Sequence, residues 1–228
     1  MDAVRAALVG AGDPERAIAQ QAYMKSAMPY RGITSPELRR ALRPVLRDPA
    51  LLPPTRDAWE AAVRALWDGA EFREERYAAI ALAGVRSARP WQDASALGLY
   101  RHLVETGAWW DLVDPVATDR VGRVLLTHRH AATPVVRAWG LEGGLWLRRA
   151  ALISQLKHRG QTDTTLLEEV LDANLDDSAH GREFFVRKAV GWALRQYART
   201  DPAWVRTYVA GREDRMAGLS RREALKHL

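Results

Sequence analysis

Apolar residues recur at helical spacing along most of this 228-residue chain, and alternating strand patterns are almost absent. The first clear run is Leu38, Leu42, Val45 and Leu46. It follows Ser35-Pro36-Glu37, where a Ser N-cap, a first-turn proline and a carboxylate favour a helix start. Further amphipathic segments fall near residues 57–67, 72–85, 92–106, 115–128, 145–158, 164–175, 182–199, 201–210 and 219–228. The sequence therefore predicts an all-α chain.

The segments predict stacked antiparallel helix pairs, because they are short and are joined by brief turns containing Pro, Gly or Asp. Arg199-Thr200-Asp201-Pro202 is such a stop and restart. The pairs recur about every 35–45 residues, which is in the range of HEAT-like repeats. A solenoid of such pairs curves into a long concave surface. No Gly/Ser-rich linker divides the chain, so we expect residues 1–228 to form one domain.

Composition excludes several functional classes. The chain has no cysteine, so disulfides, thiolate zinc sites and a Cys nucleophile are excluded. The sequence does not start with a basic region followed by an apolar stretch, so we predict no signal peptide. It also has no apolar run of about 18 residues, so we predict no membrane partner. We therefore expect a cytoplasmic, nucleoid-associated location. The net charge is +6, and residues 181–228 carry 11 Lys+Arg against 5 Asp+Glu. This excess predicts a basic face there, with a solvated Arg-rich surface as the alternative.

The stretch Trp109–Asp114 combines two tryptophans and two carboxylates in six residues. Trp is costly to expose and Asp is costly to bury, so such a cluster is unusual on a helix surface. An aromatic face beside a carboxylate attracts a flat cationic ring. In a basic chain this combination indicates an anionic partner that carries one cationic group, and alkylated DNA fits that description.

Two further segments combine tryptophan with basic residues. Residues 146–157 include Trp146, Arg148, Arg149 and Lys157. In residues 183–195, Lys188, Trp192 and Arg195 are spaced at i, i+4 and i+7, which predicts a helix face suited to a phosphate backbone beside a distorted nucleotide. The alternative for each Trp is core packing, which we predict for Trp59 and Trp67, and the alternative for an Arg pair is a solvated face.

These segments, taken in order along the chain, resemble the motifs of AlkD-type alkylpurine DNA glycosylases. The matching stretches are Tyr23-Met24-Lys25, Arg31-Gly32-Ile33, Trp109 to Asp114, Trp146 to Ala151, Phe184 to Trp192 and Leu219 to His227. The resemblance implies a right-handed α-solenoid of HEAT-like repeats with a concave DNA-binding face. It also implies removal of N3- and N7-alkylated purines, such as 3-methyladenine and 7-methylguanine, from duplex DNA.

The resemblance also assigns roles to individual residues. Asp114 corresponds to the catalytic carboxylate, Trp110 and Trp192 to the aromatics that flank the lesion, and Arg149 to the basic partner of the carboxylate. Trp109 is expected in the core and Asp111 as a local charge. The remaining predicted DNA-binding residues are Tyr23, Lys25, Arg148, Lys157, Phe185, Lys188 and Arg195.

Asp114 has a competing interpretation, because Pro115 follows it. Asp-Pro is a good N-cap with a first-turn proline, and a residue before proline is biased away from helical backbone. Asp114 could therefore simply begin a helix at Pro115. Both roles are compatible only if a capping carboxylate keeps one oxygen free.

Other catalytic chemistries are weakly supported. None of the four lysines is singled out as a Schiff-base nucleophile, which favours a monofunctional glycosylase. His128 and His130 are the only close histidine pair, and at i,i+2 they do not share a helix face, so we expect exposed loop histidines rather than a metal site. No cofactor is expected, and the partner is duplex DNA containing alkylated purines, bound by a monomer.

Three alternatives remain open. The first is a glycosylase specialised for bulky N7 or N3 purine adducts, serving self-resistance. The second is a catalytically silent protein that binds DNA structure through a basic face. The third is a HEAT-like scaffold for protein interactions, against which the basic charge of residues 181–228 argues.

Overall fold

A computed structural model describes residues 2–141 and 143–228. Within these ranges the regular structure is helical throughout and no residue is in a strand, which confirms the all-α prediction. Backbone contacts divide the chain into two compact units, Met1–Trp91 and Gln92–Leu228. The single-domain organisation, the solenoid and its concave face stay predictions.

The first unit places five helices around a core of large apolar side chains. Trp59, Trp67 and Leu66 are fully buried there, so the prediction that both tryptophans belong to the core is confirmed. The indole N–H of Trp59 donates to the Leu82 carbonyl at 3.2 Å, which satisfies its one polar atom. The helices are α1 (Asp2–Val9), α2 (Pro14–Met24), α3 (Ser35–Val45), α4 (Arg56–Asp68) and α5 (Arg73–Ala83), followed by a 3₁₀ helix (Arg86–Trp91).

Helix α3 begins at Ser35, one residue earlier than predicted. Thr34, rather than Ser35, is the N-cap, and both its backbone N–H and its hydroxyl donate to the Glu37 carboxylate, at 2.8 and 2.7 Å. Glu37 is the third helical residue, which is the position from which a carboxylate reaches the cap in a capping box. The Ser35 prediction was therefore wrong by one position.

A buried carboxylate organises the loop between α2 and α3. Glu74 on α5 is fully buried and accepts the backbone N–H groups of Arg31, Gly32 and Ile33 at 2.9–3.1 Å. Gly32 has φ +81°, and a Cβ there would lie 1.9 Å from the Asp13 carbonyl oxygen. The turn therefore requires glycine at this position.

The second unit contains nine α-helices in its described part and one π-helical segment. They are α6 (Leu97–Gly107), α7 (Trp110–Pro115), the π-helix (Val116–Val121), α8 (Gly122–Thr127), α9 (Arg129–Leu141), α10 (Leu145–Ile153), α11 (Thr164–Asp172), α12 (Phe184–Tyr197), α13 (Pro202–Ala210) and α14 (Gly218–Ala224). Asp201 caps α13 by accepting the Trp204 N–H at 2.9 Å, which confirms the predicted restart. Helix α10 packs against α7, α9 and α12 and so lies at the centre of the unit.

His158 links the segment after α10 to the first residue of α8. Its imidazole is buried, and Nε2 contacts the Gly122 carbonyl oxygen at 2.7 Å, whereas Nδ1 is buried with no partner in residues 2–141 and 143–228. Burial lowers the pKa of His158 below its ordinary value of 6.5. A proton on Nδ1 would therefore be placed where nothing accepts it.

We expect the stability of the protein to fall as the pH drops below about 6.5, because the unfolded chain then takes up a proton that the folded His158 resists. The contribution of neutral His158 to the stability is fully present above a pH of about 6.5. A His158→Gln variant, whose amide can still donate to Gly122, should lose this component. Urea unfolding across the pH range checks it, with exposed His130→Gln as the matched control. Equal pH dependence in wild type and His158→Gln would contradict the assignment.

Candidate active site

Asp114 lies inside a helix and does not cap one. Helix α7 starts at Trp110, Trp109 is its N-cap with extended backbone, and Asp114 is the fifth helical residue. The capping interpretation of Asp114-Pro115 is therefore wrong. Both carboxylate oxygens instead accept from one guanidinium: Nε of Arg149 donates to Oδ1 and Nη2 donates to Oδ2, each at 2.8 Å.

Arg149 joins three helices at this point. Besides the two bonds to Asp114 on α7, its Nη1 donates to the Phe185 carbonyl oxygen on α12 at 2.7 Å. That carbonyl lies in the first turn of α12, and Arg149 itself belongs to α10. The guanidinium is 6% exposed and the Asp114 side chain is 15% exposed. The carboxylate is thus the outer member of the pair.

The ionisation of Asp114 reflects two opposing effects. Burial raises the pKa of Asp114 above its ordinary value, while the hydrogen bonds and the charge of Arg149 lower it, and the nearby Asp111 adds a smaller upward contribution. The net direction is upward. The carboxylate therefore depends on Arg149 to stay ionised in this half-enclosed position.

An aromatic cluster of Trp109, Trp146, Phe184 and Phe185 borders the pair. The ring centroids of Trp109 and Phe185 are 5.3 Å apart, those of Trp146 and Phe185 are 5.0 Å apart, and those of Trp109 and Trp146 are 6.0 Å apart. The Arg149 guanidinium carbon lies 5.7 Å from the Phe185 centroid. Trp109 was expected in the core; it is half-buried in this cluster instead.

Trp110 and Trp192 are half-buried residues on the two helices that Arg149 connects. Trp110 precedes Asp114 by four residues on α7, so the two side chains are neighbours on one helix face. Trp192 follows Phe185 by seven residues on α12, which places it on the same face about 10 Å further along the axis. The predicted residues Asp114, Arg149 and Phe185 are in direct contact, and Trp110 and Trp192 lie on the helix faces that flank them.

The predicted cation–aromatic–cation face of α12 is not an open strip. Helix α14 packs along it, and the Glu223 carboxylate forms ion pairs with both Lys188, at 3.7 Å, and Arg195. A Cβ on Gly191 would lie 2.6 Å from that of Glu223, so glycine allows this close approach. The two cations therefore share one carboxylate, which offsets one of their two positive charges, and the sequence pattern did not indicate this pairing.

Arg148 is placed differently from its predicted role in DNA binding. It is 9% exposed, and its guanidinium donates to the Gly143 carbonyl oxygen at 2.6 Å and to Asn174 Oδ1 at 3.1 Å. Its further acceptors are carbonyl oxygens at the ends of α9 and α11, those of Gly140, Leu141 and Ala173. A guanidinium enclosed by five acceptors is not available to a phosphate, so we remove Arg148 from the DNA-binding set.

We expect Arg148→Ala to destabilise the protein by about 3 kcal/mol, because it leaves several buried oxygen acceptors unpaired. The change should act on folding and leave the affinity of the folded protein for DNA nearly unchanged. Urea unfolding measures the first effect and DNA titration the second. Arg137→Ala is the control, since its ion pair with Glu169 is one-third exposed and should contribute under about 1 kcal/mol. A selective loss of DNA affinity would restore the original role.

Three of the predicted DNA-binding residues, namely Lys157, Tyr23 and Lys25, are exposed. Lys157 forms an ion pair with Asp119, which lies in the π-helix, and its side chain is 61% exposed. Tyr23 is 76% exposed, and Lys25 is exposed at the C-cap of α2 with left-handed backbone. Both belong to the first unit.

No group of His, Asp and Glu side chains in residues 2–141 and 143–228 is arranged to hold a metal ion. Over the same residues, no helix has the length and apolar character needed to cross a bilayer.

Comparison with known proteins places this chain in a family. Residues 4–228 match the family model for DNA alkylation repair enzymes. The chain belongs to this family. Among solved structures, it is similar to a predicted DNA alkylation repair enzyme from Enterococcus faecalis, with 28% sequence identity and a TM-score of 0.82 over 95% of this chain and 96% of that one. No curated protein matches it. Membership in the DNA alkylation repair enzyme family supports a role in the repair of alkylated DNA.

Proposed function

We propose that the protein is a monofunctional DNA glycosylase that hydrolyses the N-glycosidic bond of N3- and N7-alkylated purines in duplex DNA. The observation that carries the proposal is the Asp114–Arg149 pair, in which the carboxylate is the outer member and is bordered by aromatic side chains. Family membership supplies the class of substrate.

The proposed reaction does not need a general acid to protonate the leaving base. Alkylation at N3 or N7 gives the purine a positive charge, so it leaves as a neutral base without being protonated by the enzyme. The glycosidic bond breaks toward an oxocarbenium-like sugar, and water then adds to the anomeric carbon. The enzyme has to stabilise the developing positive charge and orient that water.

Asp114 suits both tasks in this proposal. Arg149 fixes the carboxylate with two hydrogen bonds, yet a carboxylate offers about four acceptor positions, so two remain for water and for the sugar. Asp114 is also the more exposed side chain of the ion pair. A positioned dipole of this kind does not have to reorganise when positive charge appears beside it.

Trp110 and Trp192 supply aromatic faces for the charged base and the sugar. A cation over such a face gains about 0.5–2 kcal/mol, with the larger value when water is excluded. The aromatic cluster of Trp109, Trp146, Phe184 and Phe185 backs Arg149 and limits water on that side.

The test is to incubate the protein with methylated duplex DNA and identify what is released. We expect free 7-methylguanine and 3-methyladenine, with a DNA backbone that stays intact until alkali cleaves the abasic sites. Binding without any base release would support the silent DNA-structure binder instead. Running the same assay on DNA with bulky N7 adducts determines the substrate size.

DNA binding through Lys157 makes a quantitative prediction. Lys157→Ala should reduce the slope of log Kobs against log salt concentration by about one, because one phosphate contact and its released counterion are lost. Fluorescence anisotropy with an unmodified duplex measures this slope. Arg101→Ala, which removes an exposed, ion-paired cation outside the predicted set and outside residues 181–228, is the control. Equal slopes in the wild type and Lys157→Ala would exclude Lys157 as a phosphate contact.

A further inference from the structure

The first unit contains an open groove that the proposed glycosylase chemistry does not use. Its volume is about 1090 Å³, and it lies where α3 and α5 end, closed on one side by the segment that leads into α4. A groove of this size is large enough for several side chains of a bound segment. All of its lining residues lie between Arg43 and Trp91.

The floor of the groove is apolar. It includes Leu46, Leu52, Trp91 and three prolines, and the Trp91 ring packs 6.1 Å from that of the core residue Trp59. The neighbouring Leu51 is 51% exposed but does not line the groove. Contiguous exposed apolar surface of this kind commonly marks an interaction site.

The rim carries three exposed arginines, Arg43, Arg47 and Arg86. Within residues 2–141 and 143–228, no carboxylate forms an ion pair with any of these three arginines. Lys188 and Arg195 on α12, in contrast, both pair with Glu223. The nearby Asp48 directs its carboxylate to the Ala50 N–H at 2.9 Å. The rim is therefore an uncompensated positive edge around an apolar floor.

The lining favours a protein segment over nucleic acid. Proteins hold phosphate backbones mostly with basic side chains, uncharged polar side chains and backbone N–H groups. Among these lining residues, Ser87 has the one hydroxyl or amide side chain. The prolines of the lining have no backbone N–H to offer. Arginine and tryptophan around an apolar depression are typical of protein-binding hot spots.

We propose that this groove binds an acidic, leucine-rich segment of a partner protein, with apolar side chains on the Leu52–Trp91 floor and carboxylates on the three rim arginines. The interaction is separate from base excision. It would give the repair enzyme a means of recruitment that does not depend on DNA damage.

The test uses a fluorescein-labelled peptide of alternating Glu and Leu residues, titrated with the full chain. We expect saturable binding, weakened at least about tenfold by the double variant Arg47→Glu/Arg86→Glu and by Leu52→Ser. Arg89→Glu, in the same 3₁₀ helix but outside the groove, and Leu51→Ser are the matched controls and should change affinity less than about twofold. Peptides of alternating Lys and Leu, or of alternating Glu and Ser, should not bind.

Three results would overturn the proposal. The first is no saturable binding of the Glu–Leu peptide, and the second is equal binding of that peptide by the wild type and the double variant. The third is loss of duplex DNA affinity or of alkylated-base release in Arg47→Glu/Arg86→Glu but not in Arg89→Glu, which would make the groove a DNA surface. Unchanged base release by the double variant, together with lost peptide binding, supports it and is independent of the outcome for Asp114.

Discussion

Replacing Asp114 with Asn is expected to lower the rate of alkylated-base release by about 10²–10³-fold, the usual cost of removing one preorganised electrostatic group. The amide keeps the size of the side chain and one oxygen that can accept from Arg149, so the fold should survive. It removes the negative charge that faces the developing oxocarbenium ion. Single-turnover release from methylated duplex DNA measures the loss, and circular dichroism checks the fold.

Asp111→Asn is the matched control for this experiment, because it makes the same change of charge on the same helix. It should leave the rate within about threefold, since a charge one turn away acts only through a screened field. Release by Asp114→Asn at the control rate would remove Asp114 from the mechanism. In the wild type, release should also fall as the pH drops through the raised pKa of Asp114, since the protonated carboxyl carries no charge.

Arg149→Met is expected to destabilise the protein by about 3–5 kcal/mol at neutral pH, because it leaves the Asp114 carboxylate half-enclosed without its cation. Without Arg149, the pKa of Asp114 in the folded state rises further above that of the unfolded chain. The stability of the variant should therefore be greatest at acidic pH and be lost as the pH rises through that folded-state pKa. Urea unfolding at several pH values measures this.

The double variant Asp114→Asn/Arg149→Met separates the charge effect from lost packing. It should recover much of the stability at neutral pH, because no uncompensated carboxylate remains, and the pairwise coupling follows from the cycle of four proteins. Arg137→Met serves as a control for a partly exposed arginine. If Arg149→Met loses no more stability than Arg137→Met at any pH, then Arg149 is not the partner that keeps Asp114 ionised.

Helical periodicity was enough to predict most of the fold. Helices with a broad buried apolar face, such as α4, α5 and α12, were all predicted, whereas α3 buries only Leu42 and was predicted with the help of its start signal. Four helices were not: α1 and α2 bury only Val4, Leu8 and Met24, α7 has only six residues, and α9 contains Pro134, so their apolar patterns are short or interrupted. Periodicity identifies a helix only where enough of one face is buried.

The candidate site could be predicted in its residues and in its central Asp114–Arg149 pair, but not in the pairings around it. The motifs identified Asp114, Arg149, Trp110 and Trp192, and the structure brings Asp114 and Arg149 into contact. Neighbouring arginines look alike in sequence, so nothing distinguished buried Arg148 from a DNA contact. Likewise, Glu223 is distant in sequence from the cations it compensates. Such pairings depend on tertiary packing, which periodicity does not encode.

Trp146 and Phe184 were missed as neighbours of the site for a related reason. Trp146 precedes Arg149 by three residues, a spacing that places both on one side of α10 and could have indicated the contact. Phe184 is 60% exposed and touches the site only through Phe185. No local pattern in the sequence distinguishes it from an ordinary surface residue.

Two consecutive arginines connect helix α10 to different neighbouring helices. Successive side chains on a helix point about 100° apart, so Arg148 reaches the ends of α9 and α11 while Arg149 reaches α7 and α12. Rotation of α10 about its own axis in either direction would break one set of bonds. These bonds thus fix the rotation of α10 about its axis, and Arg149 holds the Asp114 carboxylate in place in the absence of DNA. In the proposed function, substrate binding would then have little protein entropy to remove at this point.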